Sequence, residues 1–248
     1  MVILTKYFYH LSLSIVFLFF IITLGCSVDP AKKSEFLKDS PEMEKYSRYP
    51  YQRVWLRYDA EKNKNMVKSL IIAPVNITYI EKMDWFKLQD NENQQIILAE
   101  ALELGDYFQS QLKDKIAAET HLKITDNPGL YTSRVEIAIV ELIPSDVWWN
   151  AAAIGAGFVV PGAGMLKTIG AGSIAIEMKI TDSNTGDLIG LLADREVDKS
   201  APIDVAALSW FQGSKNNIDD WVDIMVDSVN TGWNEQVTDK AQFRLSPW

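Results

Sequence analysis

The sequence predicts an α/β (α+β) fold, in which a single mixed β-sheet is packed by one long helix and by a C-terminal helix. Three patterns carry this prediction: a helical apolar stripe in residues 91–118, alternating apolar residues in 174–181, and a second helical stripe in 218–229. The predicted order of elements is strand, helix, four strands and helix. That order suits one mixed sheet with helices on one or both faces.

The first two elements are an apolar strand and a long amphipathic helix. The run Ser69–Val75 is rich in β-branched residues and has Pro74 near its end, as in an edge or terminal position of a strand. A helix is predicted from about Asn91 to Ala118, with Asn91 and Gln94 typical of its N-terminal cap. Apolar side chains recur there every three or four residues, at Ile97, Ala101, Leu104, Phe108, Leu112 and Ile116.

Four further strands complete the predicted sheet. Leu122–Thr125 is short, whereas Ser133–Ile143 is apolar on both faces after Glu136 and is therefore predicted to be central. In Ile174–Thr181 isoleucine and methionine alternate with Ala175, Glu177, Lys179 and Thr181, which predicts a half-buried strand. A turn at Ser183–Gly186 joins this strand to Leu188–Val197 as a hairpin.

The last predicted element is a helix of about Ile218–Val229. Its inward side chains would be Ile218, Trp221, Val222, Met225 and Val229. Asp219 and Asp220 would favour the positive end of the helix dipole, and Gly232 would end the helix.

The N-terminal segment has the form of a secretory signal that ends at the only cysteine of the chain. Lys6 precedes an apolar stretch, and Thr23-Leu24-Gly25-Cys26 resembles the lipobox of bacterial lipoproteins. This resemblance implies that residues 1–25 are removed and that Cys26 is acylated. The residue after the cysteine is Ser27, not Asp, which favours the outer membrane facing the periplasm over the alternative, the periplasmic side of the inner membrane.

The rest of the chain divides into a tether, one domain and a tail. Residues 26–67 are predicted to be a lipidated polar tether, 68–235 the mixed-sheet domain and 236–248 a C-terminal tail. Aromatic residues in the tether leave two interpretations open, a flexible spacer or a segment that packs back onto the domain; they are Tyr46, Tyr49, Tyr51, Trp55 and Tyr58.

The charge balance disfavours nucleic acid as a partner. The chain has 24 Lys and Arg and 33 Asp and Glu, and removing Lys6 with the signal leaves 23 basic and 33 acidic residues, a net charge of −10. Nucleic acid and anionic lipid both require basic patches, so the membrane is expected to be reached through acylated Cys26. An envelope protein is the expected partner.

Few residues suggest catalysis, and no enzymatic activity, cofactor or metal is expected. His121 is the only histidine after the signal and is placed at a helix–strand junction. Three Gly-x-Gly sequences lack the rest of a dinucleotide or phosphate fingerprint. Asp182, Asp187 and Asp194 match no known cation loop, and the first two flank a hairpin turn, where Asp is common.

Residues 147–166 form an uncharged stretch that begins with Val147-Trp148-Trp149. Its length could span a bilayer as a helix, but Pro161 and four glycines weaken a helix. Three interpretations remain: a loop that covers one end of the sheet, an apolar flap that binds a protein, or a segment that inserts into the membrane. For the second, Trp148, Trp149 and Phe158 are the candidate contact residues.

Several strand and turn motifs resemble the bacterial lipoprotein family catalogued as domain of unknown function 3313. They are Leu70–Val75, Glu136–Glu141, Gly170–Glu177, Ile180–Leu188 and Asp194-Arg195. The resemblance implies a fold and supplies no catalytic residues. More distantly, a lipidated tether before such a domain is similar to periplasmic lipoproteins that assemble secretion or polysaccharide-export machinery.

Three functional hypotheses follow from the sequence. The first is a non-enzymatic, lipid-anchored periplasmic domain that scaffolds other envelope proteins. The alternative is an oligomeric channel or a secretion and export component, with residues 147–166 contacting the membrane. The third is a small-ligand binder or hydrolase that uses Asp182, Asp194, Arg195 or His121.

Overall fold

The computed structural model describes residues 30–144, 172–197, 211–232 and 234–238. It confirms a single mixed sheet packed by helices. The six strands have the order β1-β6-β5-β4-β2-β3. Their bounds are β1 Arg53–Leu56, β2 Ser69–Ile72, β3 Lys123–Ile124, β4 Thr132–Ile143, β5 Ser173–Asp182 and β6 Leu188–Val197. The α-helices are α1 Ala60–Asn63, α2 Asp84–Lys87, α3 Asn91–Glu119 and α4 Gln212–Asn230, and 3₁₀ helices lie at Glu35–Leu37, Lys64–Met66 and Ile80–Lys82.

The centre of the sheet is antiparallel and one side of it is parallel. Strands β4 and β5 pair along ten positions, from Ser133 opposite Asp182 to Ile143 opposite Ser173. Strand β2 lies parallel to β4 and β3, which requires the crossover that α3 supplies. The predicted central position of β4 and the predicted β5–β6 hairpin are confirmed.

The long helix α3 runs within one residue of its predicted bounds. All six apolar residues of its predicted stripe are buried. Its N-terminal cap is Asp90 and not Asn91, because the Asp90 carboxylate accepts a hydrogen bond of 2.8 Å from the Asn93 amide.

The C-terminal helix α4 begins at Gln212, six residues before the predicted start at Ile218. The prediction failed because the first six residues, Gln212–Asn217, carry no apolar stripe and Phe211 provides no side-chain cap. Asp219 and Asp220 therefore lie beyond the first turn, where the helix dipole has little effect on them. Ile218, Trp221, Val222 and Met225 are buried as predicted.

The hydrophobic core lies between one face of the sheet and the two long helices. Along β5, Ile174, Ile176 and Met178 face this core together with residues of α3 and α4. Because successive side chains of a strand alternate, Ala175 and Glu177 lie on the opposite face, and both are also buried. The predicted half-buried strand is therefore wrong over Ser173–Met178, where both faces are covered.

The N-terminal segment is part of the domain, which corrects the predicted tether of residues 26–67. Strand β1 pairs antiparallel with β6, Tyr51 is 1% exposed, and Leu37 is completely buried. Of the two interpretations left open, the structure supports the one in which this segment packs back. Arg53–Leu56 was missed because so short an edge strand is defined by its partner β6, about 140 residues away in the chain.

Candidate functional site

Several sequence-predicted site residues lie outside the described part of the chain. They are Cys26 and the three candidate contact residues Trp148, Trp149 and Phe158. The described strands locate only the two ends of their segment. Because Ile143 pairs with Ser173, residues 145–171 leave and re-enter the sheet at neighbouring positions at one end of β4 and β5.

Asp194 is a buried carboxylate that joins three parts of the chain. It lies on β6, on the face of the sheet that α4 covers. Trp221 of α4 donates its indole N–H to Oδ2 across 2.8 Å, and the Gln52 amide donates to Oδ1 across 3.0 Å. Burial raises the pKa of Asp194 to about 6, although these hydrogen bonds act in the opposite direction.

Tyr51 lies near the Asp194 carboxylate, but in the described part of the chain its hydroxyl lacks the hydrogen bonds that Asp194 has. Its hydroxyl is buried and has no hydrogen-bond partner among the described residues. Burial, with the nearby Asp194 charge as a smaller cause, raises the pKa of Tyr51 well above its usual value of 10. At neutral pH the phenol therefore keeps its proton, and both side chains are shielded from solvent, Tyr51 at 1% and Asp194 at 5% exposed.

Arg195, the residue after Asp194, faces the opposite side of the sheet. Its Nε is 2.6 Å from Oε1 of Glu141, and the Ser173 hydroxyl donates to the same oxygen across 2.8 Å. Arg195 is 4% exposed, so this ion pair is largely removed from water. The three residues connect β6, β4 and β5 at the end of the sheet where residues 145–171 are attached.

The other two candidate residues have ordinary structural positions. Asp182 begins the hairpin turn and accepts hydrogen bonds from the Asn184 and Thr185 amides at 2.9 and 3.0 Å. His121 is exposed after the end of α3. Within the described ranges, no three His, Cys, Asp or Glu side chains are grouped as metal ligands would be.

An open polar cavity of about 370 Å³ lies beside Arg48, between the N-terminal segment and residues 234–236. Arg48 donates a 2.6 Å hydrogen bond to the Gly232 carbonyl, and its Nη1 is 3.1 Å from Glu61. Tyr46 donates to the same carboxylate. The charges in this cavity are therefore engaged in joining the two ends of the domain.

Sequence reasoning missed one further constellation, which we call the N-terminal clip and define as Ser34–Leu37 together with Glu177. The Ser34 amide donates to Oε1 of Glu177 across 2.8 Å, and the Ser34 hydroxyl donates to Oε2 across 2.5 Å. The same hydroxyl caps the 3₁₀ helix by accepting from the Phe36 amide. Glu177 is only 2% exposed, and a buried carboxylate needs hydrogen-bond donors. Ser34, which is 143 residues away in the chain, supplies one to each of its two oxygens.

A sequence signal for the clip exists but is weak. Ser34 followed by acidic Glu35 is typical of a helix N-cap, and Leu37 is the apolar residue that such a turn would bury. Nothing local identifies Glu177 as the acceptor, because its alternating pattern also fits a solvent-exposed face. None of the helices in the described ranges is both long and apolar enough to span a membrane.

A comparison with protein-family models identifies the family of this chain. The sequence model of the family described as protein of unknown function (DUF3313) matches residues 32–225, which include all six strands. No curated protein matches the chain. Among solved structures, it is similar to the PelC dodecamer from Paraburkholderia phytofirmans, with 8% identity, a TM-score of 0.35, and 67% of this chain and 89% of that chain covered. A single-residue variant of the same dodecamer gives 8% identity, a TM-score of 0.34, and coverages of 67% and 88%.

Proposed function

The chain belongs to the DUF3313 family of proteins of unknown function, and on this premise we propose that it is a lipid-anchored protein of the bacterial envelope. In this proposal Cys26 is acylated after removal of residues 1–25. The domain then lies in the periplasm at the outer membrane, and it binds and positions other envelope proteins without catalysing a reaction. The lipobox-like sequence before Cys26 and the Ser27 that follows it support this location.

The non-catalytic part of the proposal is supported by the structural contacts that two buried charged residues make. Asp194 is 5% and Arg195 is 4% exposed, and each bonds to groups from other elements. Two of the four residues that the sequence offered for chemistry, Asp194 and Arg195, thus hold β1, α4 and the central strands together. Their hydrogen bonds and ion pair to other parts of the domain support a structural role.

The proposed partner contact is the uncharged stretch within residues 145–171. It is attached at one end of the two longest strands, through Ile143 and Ser173. Because β4 and β5 pair along ten positions, the two points at which this stretch is attached lie next to each other. By sequence, Trp148, Trp149 and Phe158 are the side chains suited to the centre of a protein interface.

Site-specific crosslinking in cells tests this function. A photoreactive amino acid is placed at Trp148 or Trp149, and for comparison at Leu102, an exposed apolar residue of α3. We expect protein adducts from the two tryptophan positions at native expression and none from Leu102. Adducts with lipid alone, or equal protein capture from all three positions, would contradict the proposal.

Anchoring is tested separately with Cys26→Ser. The acylated protein should fractionate with membranes and incorporate labelled palmitate, whereas the variant should do neither. A Ser27→Ala variant is the matched control, since it keeps the cysteine. Membrane retention that survives Cys26→Ser would contradict the proposed anchor.

A further inference from the structure

The N-terminal clip sets how far the domain can lie from its anchor. Ser34 is eight residues after Cys26, since 34 − 26 = 8. A fully extended chain spans at most about 3.3–3.6 Å per residue, so Ser34 lies no more than about 29 Å from Cys26. A tether that ran to residue 68 would have allowed about 150 Å by the same measure.

Five contacts hold this short connection to the domain. Two hydrogen bonds join Ser34 to Glu177, and Leu37 is completely buried. On either side, the Lys179 ammonium lies 4.3 Å from the centre of the Phe36 ring, and Lys82 pairs with Glu35. Residues 34–37 therefore contact both β5 and the 3₁₀ helix Ile80–Lys82, so the folded domain begins at Ser34.

The side chains around the clip are of the types that suit contact with a phospholipid surface. Residues 32–38 contain three lysines and one glutamate, whereas the mature chain carries a net charge of −10. Two half-buried aromatic rings, Phe36 and Tyr79, lie 6.5 Å apart edge to face, and the Lys82 ammonium is 5.0 Å from the Tyr79 ring. Lysines that extend past aromatic rings suit the boundary between headgroups and water.

We propose that the N-terminal clip holds the domain against the phospholipid surface of the leaflet into which Cys26 is anchored. The clip and the 3₁₀ helix beside it then face the headgroups, and α3, on the opposite side of the sheet, faces away from them. This inference rests on the proposed acylation of Cys26 and adds the orientation and the distance of the domain.

Energy transfer to the bilayer tests the orientation. Because Cys26 is the only cysteine and acylation consumes its thiol, a single introduced cysteine can be labelled specifically. The full acylated protein is reconstituted in phosphatidylethanolamine–phosphatidylglycerol vesicles that contain a headgroup acceptor. One donor is placed at Glu81→Cys, which is exposed beside the clip, and another at Asp106→Cys, which is exposed on α3.

We expect transfer to be several-fold greater from position 81 than from position 106. A Gly/Ser insertion of about 20 residues after Asp29 lengthens the connection by about 25 Å on average and leaves the fold untouched, so it should reduce the difference markedly. Equal transfer from both positions, or a difference that the insertion leaves unchanged, would overturn the proposal.

Two substitutions on the same face of the sheet test whether the clip, in addition to the anchor, orients the domain. Glu177→Ala removes both acceptors of Ser34 and should reduce transfer from position 81. Glu136→Ala, a half-exposed glutamate on the same face, should leave it unchanged. Vesicle flotation distinguishes a failed anchor from a wrong orientation: a protein that does not float overturns the anchor and this orientation together. A floating protein with equal transfer at both positions overturns the orientation alone.

Discussion

Trp221 donates its indole N–H to the Asp194 carboxylate across 2.8 Å, and this bond connects α4 to β6, the strand next to the edge strand β1. The same carboxylate accepts from the Gln52 amide just before β1. The pairing β1–β6 and the packing of α4 thus share one buried acid. Its protonation state is coupled to the stability of the N-terminal and C-terminal ends of the domain.

The first prediction concerns pH and Asp194. Burial raises its pKa from 3.8 in the unfolded chain to about 6 in the folded protein. Between these values the folded state binds more protons, so the contribution of Asp194 to stability is fully present below pH 3.8, is lost as the pH rises to about 6 and changes little above that. The shift of about two units corresponds to a loss on the order of 3 kcal/mol at pH 8.

Comparison with Asp194→Asn isolates this contribution from that of other titrating groups. The amide does not ionise, so the difference in unfolding free energy, variant minus native protein, should rise on the order of 3 kcal/mol from pH 4 to pH 8. Urea unfolding at several pH values measures it. A difference independent of pH would show that Asp194 titrates alike in both states.

The second prediction concerns the donor, Trp221. Its ring stacks on Phe108 with centroids 6.3 Å apart, and Trp221→Phe keeps an aromatic ring there while removing the N–H. The buried carboxylate then loses a donor, which should lower the unfolding free energy by about 1–3 kcal/mol. The loss should be larger at pH 8 than at pH 5, because the charged form needs the bond more. A loss of the same size at both pH values would assign it to packing alone.

The third prediction concerns the buried hydroxyl of Tyr51. The phenol is 1% exposed, and its oxygen has no partner among the described residues. Tyr51→Phe removes this oxygen and keeps the ring, so we expect the unfolding free energy to rise by about 1 kcal/mol. Tyr58→Phe is the control, since Tyr58 is 94% exposed and should have no effect. A clear loss of stability in Tyr51→Phe would indicate a hydrogen bond to a group outside the described ranges.

The elements that local patterns define were predictable, and α3 shows why. Its apolar stripe repeats from Ile97 to Ile116, over about five turns, and such a signal needs no knowledge of the rest of the chain. The β5–β6 hairpin was predictable for the same reason, because its turn residues lie between two apolar runs. The weaker start of α4 was placed six residues late, because its first turn is polar and lacks a cap.

The clip and the Asp194 cluster were not predictable, because they join residues far apart in sequence. Ser34 and Glu177 are 143 residues apart, and Trp221 is 27 residues from Asp194. Glu177 occupies a position in the alternating pattern that equally fits an exposed side chain. Whether a polar residue of a strand meets water or a covering segment depends on tertiary packing.

The fourth prediction concerns the turn between β5 and β6. Gly186 has a φ of +79°, and an added Cβ would meet nothing within 4 Å. Gly186→Ala should therefore cost about 1 kcal/mol through backbone conformation alone. Gly129→Ala provides the control, because its φ is not in that region and its nearest neighbour would be 3.7 Å away. Urea unfolding of the two variants compares them, and equal effects would contradict the left-handed turn.

The fifth prediction concerns the N-terminal clip in the absence of lipid. A chain that begins at residue 41 lacks Ser34 and Leu37, whereas one that begins at residue 31 keeps both. Loss of the fully buried Leu37 should cost about 1.5–3 kcal/mol, and leaving the Glu177 carboxylate without its two donors about 1–3 kcal/mol more.

Denaturant unfolding of these two chains measures the difference, with Glu177→Gln in the longer chain as an intermediate case. The amide can still accept from the Ser34 N–H, so this variant should retain most of the stability. If both chains unfold at the same denaturant concentration, residues 31–40 contribute nothing to the fold. The connection from Cys26 would then extend at least to β1, and the domain could move as far from the membrane as that longer chain allows.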